Sequence, residues 1–276
     1  MDARAVAEEA LGRDPGPLTP VSSRSHQVHV GADVVVKLIA ADDHTRLDRE
    51  IALAPHLPSG ITAPLLVSGR QGDVRYACYS RAPGAAPGMG LPGVSEQDAL
   101  VLARQAIQRL KALHAWAPPP PAERVLGEVL DHGGFAGRDA FVTAIEKESV
   151  PPDVADGLSE IASRAPLHVR TTVPVHADCH WDNWLANGVE LTALLDFEWA
   201  RFGDPLDDWF FLARFSGPHM HAVLALIADE TKIPLRTLRI ECEVREASHL
   251  IADLPFDRPR VLELLQELVA GLWHEQ

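Results

Sequence analysis

The chain has 276 residues, 46% of them hydrophobic and 23% charged, the balance of an ordinary soluble protein of one or two domains. Its net charge of −14 disfavours nucleic acid, whose binding depends on neutralising phosphates, and suits either attraction of a cationic small molecule or plain solubility. A membrane span needs ~18 or more apolar residues in a row, and no run approaches that; the acidic start MDARAVAEEALGRD carries no basic-then-apolar leader, and Cys78, Cys179 and Cys242 are too few and too scattered for a disulfide framework or a CxxC site, so a cytoplasmic protein is expected.

Along the chain, residues 27–40, QVHVGADVVVKLIA, predict a hairpin about a Gly-Ala-Asp turn, with Lys37 inside the second strand. Residues 43–54, DHTRLDREIALA, predict a helix halted by Pro55. Residues 61–80 predict two more strands around a glycine-containing turn. The Pro/Gly-rich stretch 82–93, APGAAPGMGLPG, places a boundary between an N-terminal unit, 1–82, and a C-terminal unit, 83–276. Ser95 and Asp98 form a capping pair that opens a helix with apolar residues at Leu100, Ala103, Ile107, Leu110 and Leu113. The prolines of 117–123 must break it. Residues 124–165 read as helical with a turn at DHGG, 171–199 as short strands joined by polar turns, and 206–228 and 236–252 as helices. A last amphipathic helix is expected over 258–276.

The stretch 176–183, HADCHWDN, concentrates the chemistry. His176 and His180 have the spacing of a helical zinc pair, but no Glu follows the first histidine and the stretch reads as a loop. A Cys179 nucleophile needs an electropositive setting, and the neighbouring aspartates oppose it. Phosphoryl transfer fits better. It needs a carboxylate to orient and deprotonate an alcohol, oxygen ligands for Mg²⁺ and a lysine for the phosphate oxygens. Asp178, Asn183 and Asp196 stand in that order, Lys37 lies upstream, and Glu50 is spaced to pair with it. No Walker A sequence occurs, which excludes the P-loop form of this chemistry.

Taken together, His176-Ala177-Asp178-Cys179-His180-Trp181-Asp182-Asn183, then Asp196-Phe197-Glu198, then Gly203-Asp204-Pro205-Leu206-Asp207-Asp208 resemble the aminoglycoside phosphotransferase and choline kinase-like family of small-molecule kinases. VVVKL, REIALAPHLP and YSRAPG resemble its lysine strand, partner helix and hinge, and the likeness spans about residues 20–215. The resemblance implies an α+β, two-lobe, protein-kinase-like fold: a small antiparallel sheet with one main helix, then a larger, mostly helical lobe. It implies Asp178 as the catalytic base, Asn183 and Asp196 on Mg²⁺, Lys37 on the α/β-phosphates held by Glu50, and His176 as a structural residue. Backbone from Cys78 through Tyr79 and Ser80 to Arg81 would meet the adenine, and the loop carrying Ser22, Ser23 and Ser25 would cover the phosphates. Glu198 is open between metal ligand, neighbour of one and solvent-facing group. Asp204 is read as a helix cap and Asp208 as structural. Trp181 and Asp207 are candidates for a cationic substrate, Trp181 through cation–π contact. Ala177 replaces the family's usual glycine, and the 22–26 loop has none.

The resemblance thus implies an ATP- and Mg²⁺-dependent kinase, GTP not being separable from ATP, acting on a small-molecule hydroxyl as a monomer or dimer. The acidic balance, the acidic 204–208 turn and the terminal WHEQ suit a polycationic antibiotic inactivated as a means of resistance: an aminoglycoside first, a viomycin- or capreomycin-type peptide next, a macrolide third. A metabolic kinase acting on choline, homoserine or a sugar is the alternative, and a pseudokinase is a further one.

Overall fold

The computed structural model describes residues 2–23, 25–130 and 134–274. Helix α1 (Ala3–Leu11) precedes a five-stranded antiparallel sheet of β1 (Thr19–Val21), β2 (Gln27–Val30), β3 (Val34–Ala40), β4 (Leu65–Gln71) and β5 (Val74–Ser80), in the spatial order β1-β2-β3-β5-β4. Helix α2 (Arg46–Leu53) joins β3 to β4. The alternation of β3 sorts its side chains onto two faces. Val34, Val36 and Leu38 pack with Ala3, Val6 and Ala7 of α1. Ile39 packs on the other face with Leu47 of α2, and Lys37 shares that face. The strand periodicity therefore aims the lysine at α2.

Two elements of this region are invisible to the sequence reading, which predicts four strands and one helix. Both α1 and β1 are short, and β1 is exposed throughout, so it has no apolar alternation to betray it. Helix α2 also begins later than predicted, at Arg46, because Thr45 leaves the helical region and caps nothing with its side chain.

The remainder is mostly helical: α3 (Glu96–His114), α4 (Pro120–Leu126), α5 (Arg138–Lys147), α6 (Pro152–Arg164), α7 (Pro205–Arg214), α8 (Met220–Thr231), α9 (Leu235–Asp253) and α10 (Arg258–Val269). Strands β6 (Val173–Val175) and β9 (Arg201–Gly203) pair with each other, and β7 (Trp184–Asn187) with β8 (Glu190–Leu194). Ser95 caps α3 as predicted, its Oγ accepting from Asp98 N at 3.2 Å. Most of the 131–134 turn and Arg24 of the 22–26 loop lie outside the described residues. The last helix stops at Val269, short of the predicted end. Gly271 turns the chain at φ +102°, and Trp273 folds back to donate its indole N–H to Glu246 at 2.6 Å. The terminal carboxylate lies outside the described residues.

One glycine ties the sheet to the helices. Gly84 has φ +98°, and a Cβ there would stand 2.2 Å from Ala186 O. Its absence lets Ala85 exchange two backbone hydrogen bonds with Ala186, at 3.0 and 2.9 Å. The connector after β5 is thereby fastened to the β7–β8 hairpin.

Candidate active site

Strand β6 delivers the chain into the 176–183 loop, and a buried carboxylate from α7 holds the loop's start. Asp208 is fully buried and accepts from His176 N at 3.1 Å and Ala177 N at 2.7 Å. His114 Nε2, from the end of α3, lies 2.8 Å from the same carboxylate. Burial alone would raise Asp208, but the His114 contact and these N–H donors hold it below its ordinary value. His176 is also fully buried, and burial pushes its pKa down. The neutral Nε2–H tautomer fits both of its contacts: Nε2 donates to Leu195 O at 2.8 Å, and Nδ1 accepts from Asp178 N at 3.3 Å.

Between them, Ala177 sits at φ +62°. A left-handed L-residue costs roughly 1–2 kcal/mol, while a glycine gives up roughly 0.5–1 kcal/mol through chain entropy. Ala177→Gly is therefore expected to raise the thermal midpoint by ~1–3 °C with activity retained. A lowered midpoint would mean that the buried methyl contributes more through packing than its backbone costs.

The β7–β8 hairpin sets the next spacing. It closes so that Leu195 N donates to Asn183 O at 2.7 Å, bringing Asn183 beside the residue that precedes Asp196. Asn183 Nδ2 donates to Asp178 O at 2.7 Å and Asp178 Oδ2 at 3.2 Å, which leaves the amide oxygen to meet a cation. Asp196 is held left-handed at φ +68°, ψ 65°. Its Oδ1 lies 3.5 Å from Lys37 Nζ, which donates to Glu50 Oε2 at 2.7 Å. Burial would lower Lys37, but Glu50 and Asp196 outweigh it and hold the ammonium above its ordinary value. Burial likewise works against Asp196, and Lys37 reverses it, keeping that carboxylate ionised. Lys37 thus joins the sheet, α2 and the 196–198 turn in one chain of charges.

Glu198 completes the cluster from below. It is buried, 2.9 Å from His26 Nδ1 and 3.6 Å from Arg46 Nε, and one oxygen each of Glu50, Asp196 and Glu198 lies within 4.8 Å of the others. Burial, reinforced by the Asp196 charge, pushes Glu198 up to about 8. Carboxylates packed this closely are short of positive charge, and every donor is an oxygen. That is the environment a hard divalent ion such as Mg²⁺ takes. The solvent-facing reading of Glu198 is excluded by its burial.

Residues 18–233 match the model of the phosphotransferase enzyme family. The chain belongs to that family. Among solved structures, it is similar to the GDP complex of aminoglycoside 2'-phosphotransferase-IIIa, with TM-score 0.75, 18% identity and 97% of this chain and 96% of that one covered. A thermostable mutant of aminoglycoside phosphotransferase APH(4)-Ia, in ternary complex with ADP and hygromycin B, matches with TM-score 0.67, 18% identity and 99% and 98% coverage. ADP-bound aminoglycoside phosphotransferase APH(2'')-Ib matches with TM-score 0.64, 17% identity and full coverage of both chains. At these identities the likeness carries the α+β, protein-kinase-like fold. No curated relative matches the sequence.

In this phosphotransferase several expected site residues stand elsewhere than anticipated. Trp181 is fully buried, its indole N–H on Ser216 Oγ at 2.9 Å, so it braces the loop and presents no face to a substrate. Asp207 is buried between Arg245 Nε at 2.8 Å and Arg201 at 3.0 Å, and it is spent on those arginines. Asp204 caps α7 as expected, accepting from Leu206 N at 3.0 Å. Within the hinge stretch, Cys78, Tyr79 and Ser80 run between β3 and β4. Ser80 N and Arg81 N donate to Pro64 O and Asp33 O, at 2.8 and 2.9 Å. Those two N–H groups are engaged inside the protein, and an adenine would have to meet carbonyls here or the backbone beyond Arg81. In the 22–26 loop, Ser22 and Ser23 are exposed, and Ser25 Oγ lies 2.8 Å from His26 Nδ1.

The sequence reading missed His114 and Arg49. Arg49 is buried on α2 and donates twice to Ala200 O, at 2.9 and 2.7 Å, locking the helix that carries Glu50 to the turn that carries Glu198. Its signal was an arginine one residue before Glu50, indistinguishable by pattern from a solvated helix charge. The Cys179 nucleophile is disposed of here. Burial drives all three thiols up, Cys78 to about 11 and Cys179 well above its ordinary value. The native protein is expected to resist an aromatic disulfide reagent at pH 8 and to release three thiols only on unfolding. Rapid labelling of the native enzyme at Cys179 would contradict this.

Proposed function

We propose that this phosphotransferase moves the γ-phosphoryl group of ATP, or of GTP, to a hydroxyl of a small cationic molecule, with Mg²⁺ as the resident ion. The observation that carries the reading is that Lys37–Glu50–Asp196 and Asp178–Asn183 are joined through Leu195, which precedes Asp196 and donates to Asn183 O at 2.7 Å. Asp178 is partly exposed and takes the proton of the acceptor hydroxyl as its oxygen forms the new bond to phosphorus. The bond from the γ-phosphorus to the β,γ-bridging oxygen breaks, and the nucleoside diphosphate leaves. Lys37, fixed by Glu50, neutralises phosphate oxygens. Asn183 Oδ1 and Asp196 would hold the metal, with Glu198 beside them, and the bound ion would supply charge neutralisation to the phosphates. His176 and Asp208 keep Asp178 in position.

The acceptor reading is a cationic antibiotic, inactivated by phosphorylation. The net charge of −14 supports it, as does the antibiotic in the hygromycin B complex of a structural neighbour. A metabolic alcohol is the second reading, favoured by one observation: Asp207 is neutralised by Arg201 and Arg245, which removes the acidic 204–208 turn as a cation site. The test is ADP release with ATP and Mg²⁺ over cationic antibiotics, macrolides and small alcohols, with the product mass measured. A hit among the antibiotics supports the first acceptor class and a hit only among metabolites the second. Nucleotide binding with no transfer to any alcohol would overturn the catalytic reading.

A further inference from the structure

The surface that leads away from Asp178 is aromatic. His180 Nε2 lies 3.4 Å from Asp178 Oδ1, and the His180 ring stands 5.7 Å from Phe215, edge to face. Phe215 stacks on Phe211 at 5.8 Å, one helical turn back along α7, and Phe211 meets His249 of α9 at 5.5 Å. All four rings are half-buried. The row is therefore continuous from the carboxylate that handles the reacting hydroxyl, and each member is partly exposed. The 88–91 turn is fastened to its near end, Gly90 N donating to Phe215 O at 2.8 Å, and Met89 beside it is 43% exposed.

Four carboxylates of α7 and α9 are already paired. Asp207 is held by Arg201 and Arg245, Glu241 by Arg245 at 2.7 Å, Glu243 by Arg164 at 2.9 Å, and Glu246 by Arg214. A polyammonium acceptor would have to break those pairs to find a counter-charge on α7 or α9, and breaking a buried pair strands its partner; beyond Asp178, the exposed Asp182 by the 88–91 turn leaves room for one ammonium group. An apolar ring laid on Phe211 and Phe215 loses nothing and gains aromatic contact and burial. The negative field of the whole chain still draws a single positive charge toward the protein.

Resting on the phosphotransfer reading above, we infer that the acceptor is an alcohol with one ammonium group and an apolar ring or methyl-rich face next to its reacting hydroxyl, seated on the Phe211–Phe215 row. Phe211 and Phe215 set specificity, and they act through acceptor binding and not through the chemical step.

Calorimetry and initial rates on the full-length protein with matched probes test this. One probe is a monoamino alcohol carrying a benzyl or cyclohexyl group, and the other is a sugar alcohol carrying three or more ammonium groups. The ring-bearing probe is expected to bind at least on the order of tenfold more tightly, with Phe211→Ala costing about tenfold and the milder Phe215→Leu about threefold in its affinity and KM. The kcat should move less than KM in both variants. Tighter binding of the polyammonium probe, affinity unmoved by either substitution, or no binding of the ring-bearing probe overturns the inference. The two readings fail separately. Ring-selective binding without transfer would uphold the row and sink the phosphotransfer reading, whereas transfer to the polyammonium probe without dependence on Phe211 or Phe215 would do the reverse.

Discussion

Asp178→Asn lowers the rate of phosphoryl transfer by roughly 10²–10⁴-fold, the loss expected when a positioned general base is removed, while nucleotide affinity changes little. The amide is nearly isosteric and can still accept a hydrogen bond, so the contact from Asn183 Nδ2, 3.2 Å away, can be kept. What disappears is the ability to take the alcohol's proton. The defect should therefore fall on kcat and on kcat/KM alike. Lys37→Ala supplies the contrast, because Lys37 is tied to Glu50 and Asp196 and faces phosphate instead of acceptor: its removal should raise the nucleotide KM as well. Steady-state rates with the nucleotide and the acceptor varied in turn separate the two. Near-normal turnover by Asp178→Asn would remove the assignment of Asp178 as base, and a purely nucleotide-affinity defect would move it to the metal.

The candidate site residues that the structure brings together as expected are those whose spacing is local. Asp178 and Asn183 lie in one loop, Asp196 follows one hairpin later, and Lys37 sits in a strand with evident alternation. What the sequence hid depends on partners distant in the chain. Asp207 and Asp208 look like one acidic turn, yet one is neutralised by arginines of β9 and α9 and the other is clamped to α3 and the 176–177 backbone. No periodicity announces that Arg245, 38 residues away, belongs to Asp207. Trp181 was ambiguous for the same reason. A tryptophan in a polar loop can offer its face to a ligand or anchor the loop, and only Ser216, 35 residues on, decides. The Asp207 and Asp208 charges of the 204–208 turn, which suggested a polycationic acceptor, are thus internal structure. The aromatic row was legible in part, since Phe211 and Phe215 have i,i+4 spacing, but its connection to Asp178 runs through His180 and appears only in three dimensions.

The largest loss of stability is expected at Asp208, which makes no contact with substrate. Asp208→Ala strands two buried N–H donors, those of His176 and Ala177, together with the His114 ring. An unsatisfied buried donor costs ~1–3 kcal/mol, and deleting one partner of a buried charged contact costs about 3–5 kcal/mol in total. At ~2–4 °C per kcal/mol for a chain of this size, the thermal midpoint should fall by roughly 10 °C or more. Asp208→Asn keeps one acceptor oxygen and should lose about half as much. The pH dependence gives an independent sign. Asp208 is held below the ordinary aspartate value of about 4, so its contribution is present above about pH 4 and is lost as pH falls through the lower folded value. Wild type should accordingly shed stability in acid faster than Asp208→Asn, and the gap between their melting midpoints should narrow below pH 4. Activity should fall too, since the clamp fixes the backbone immediately before Asp178. An Asp208→Ala protein that melts with wild type and turns over normally would show that the loop is held by His176 and the buried tryptophans alone.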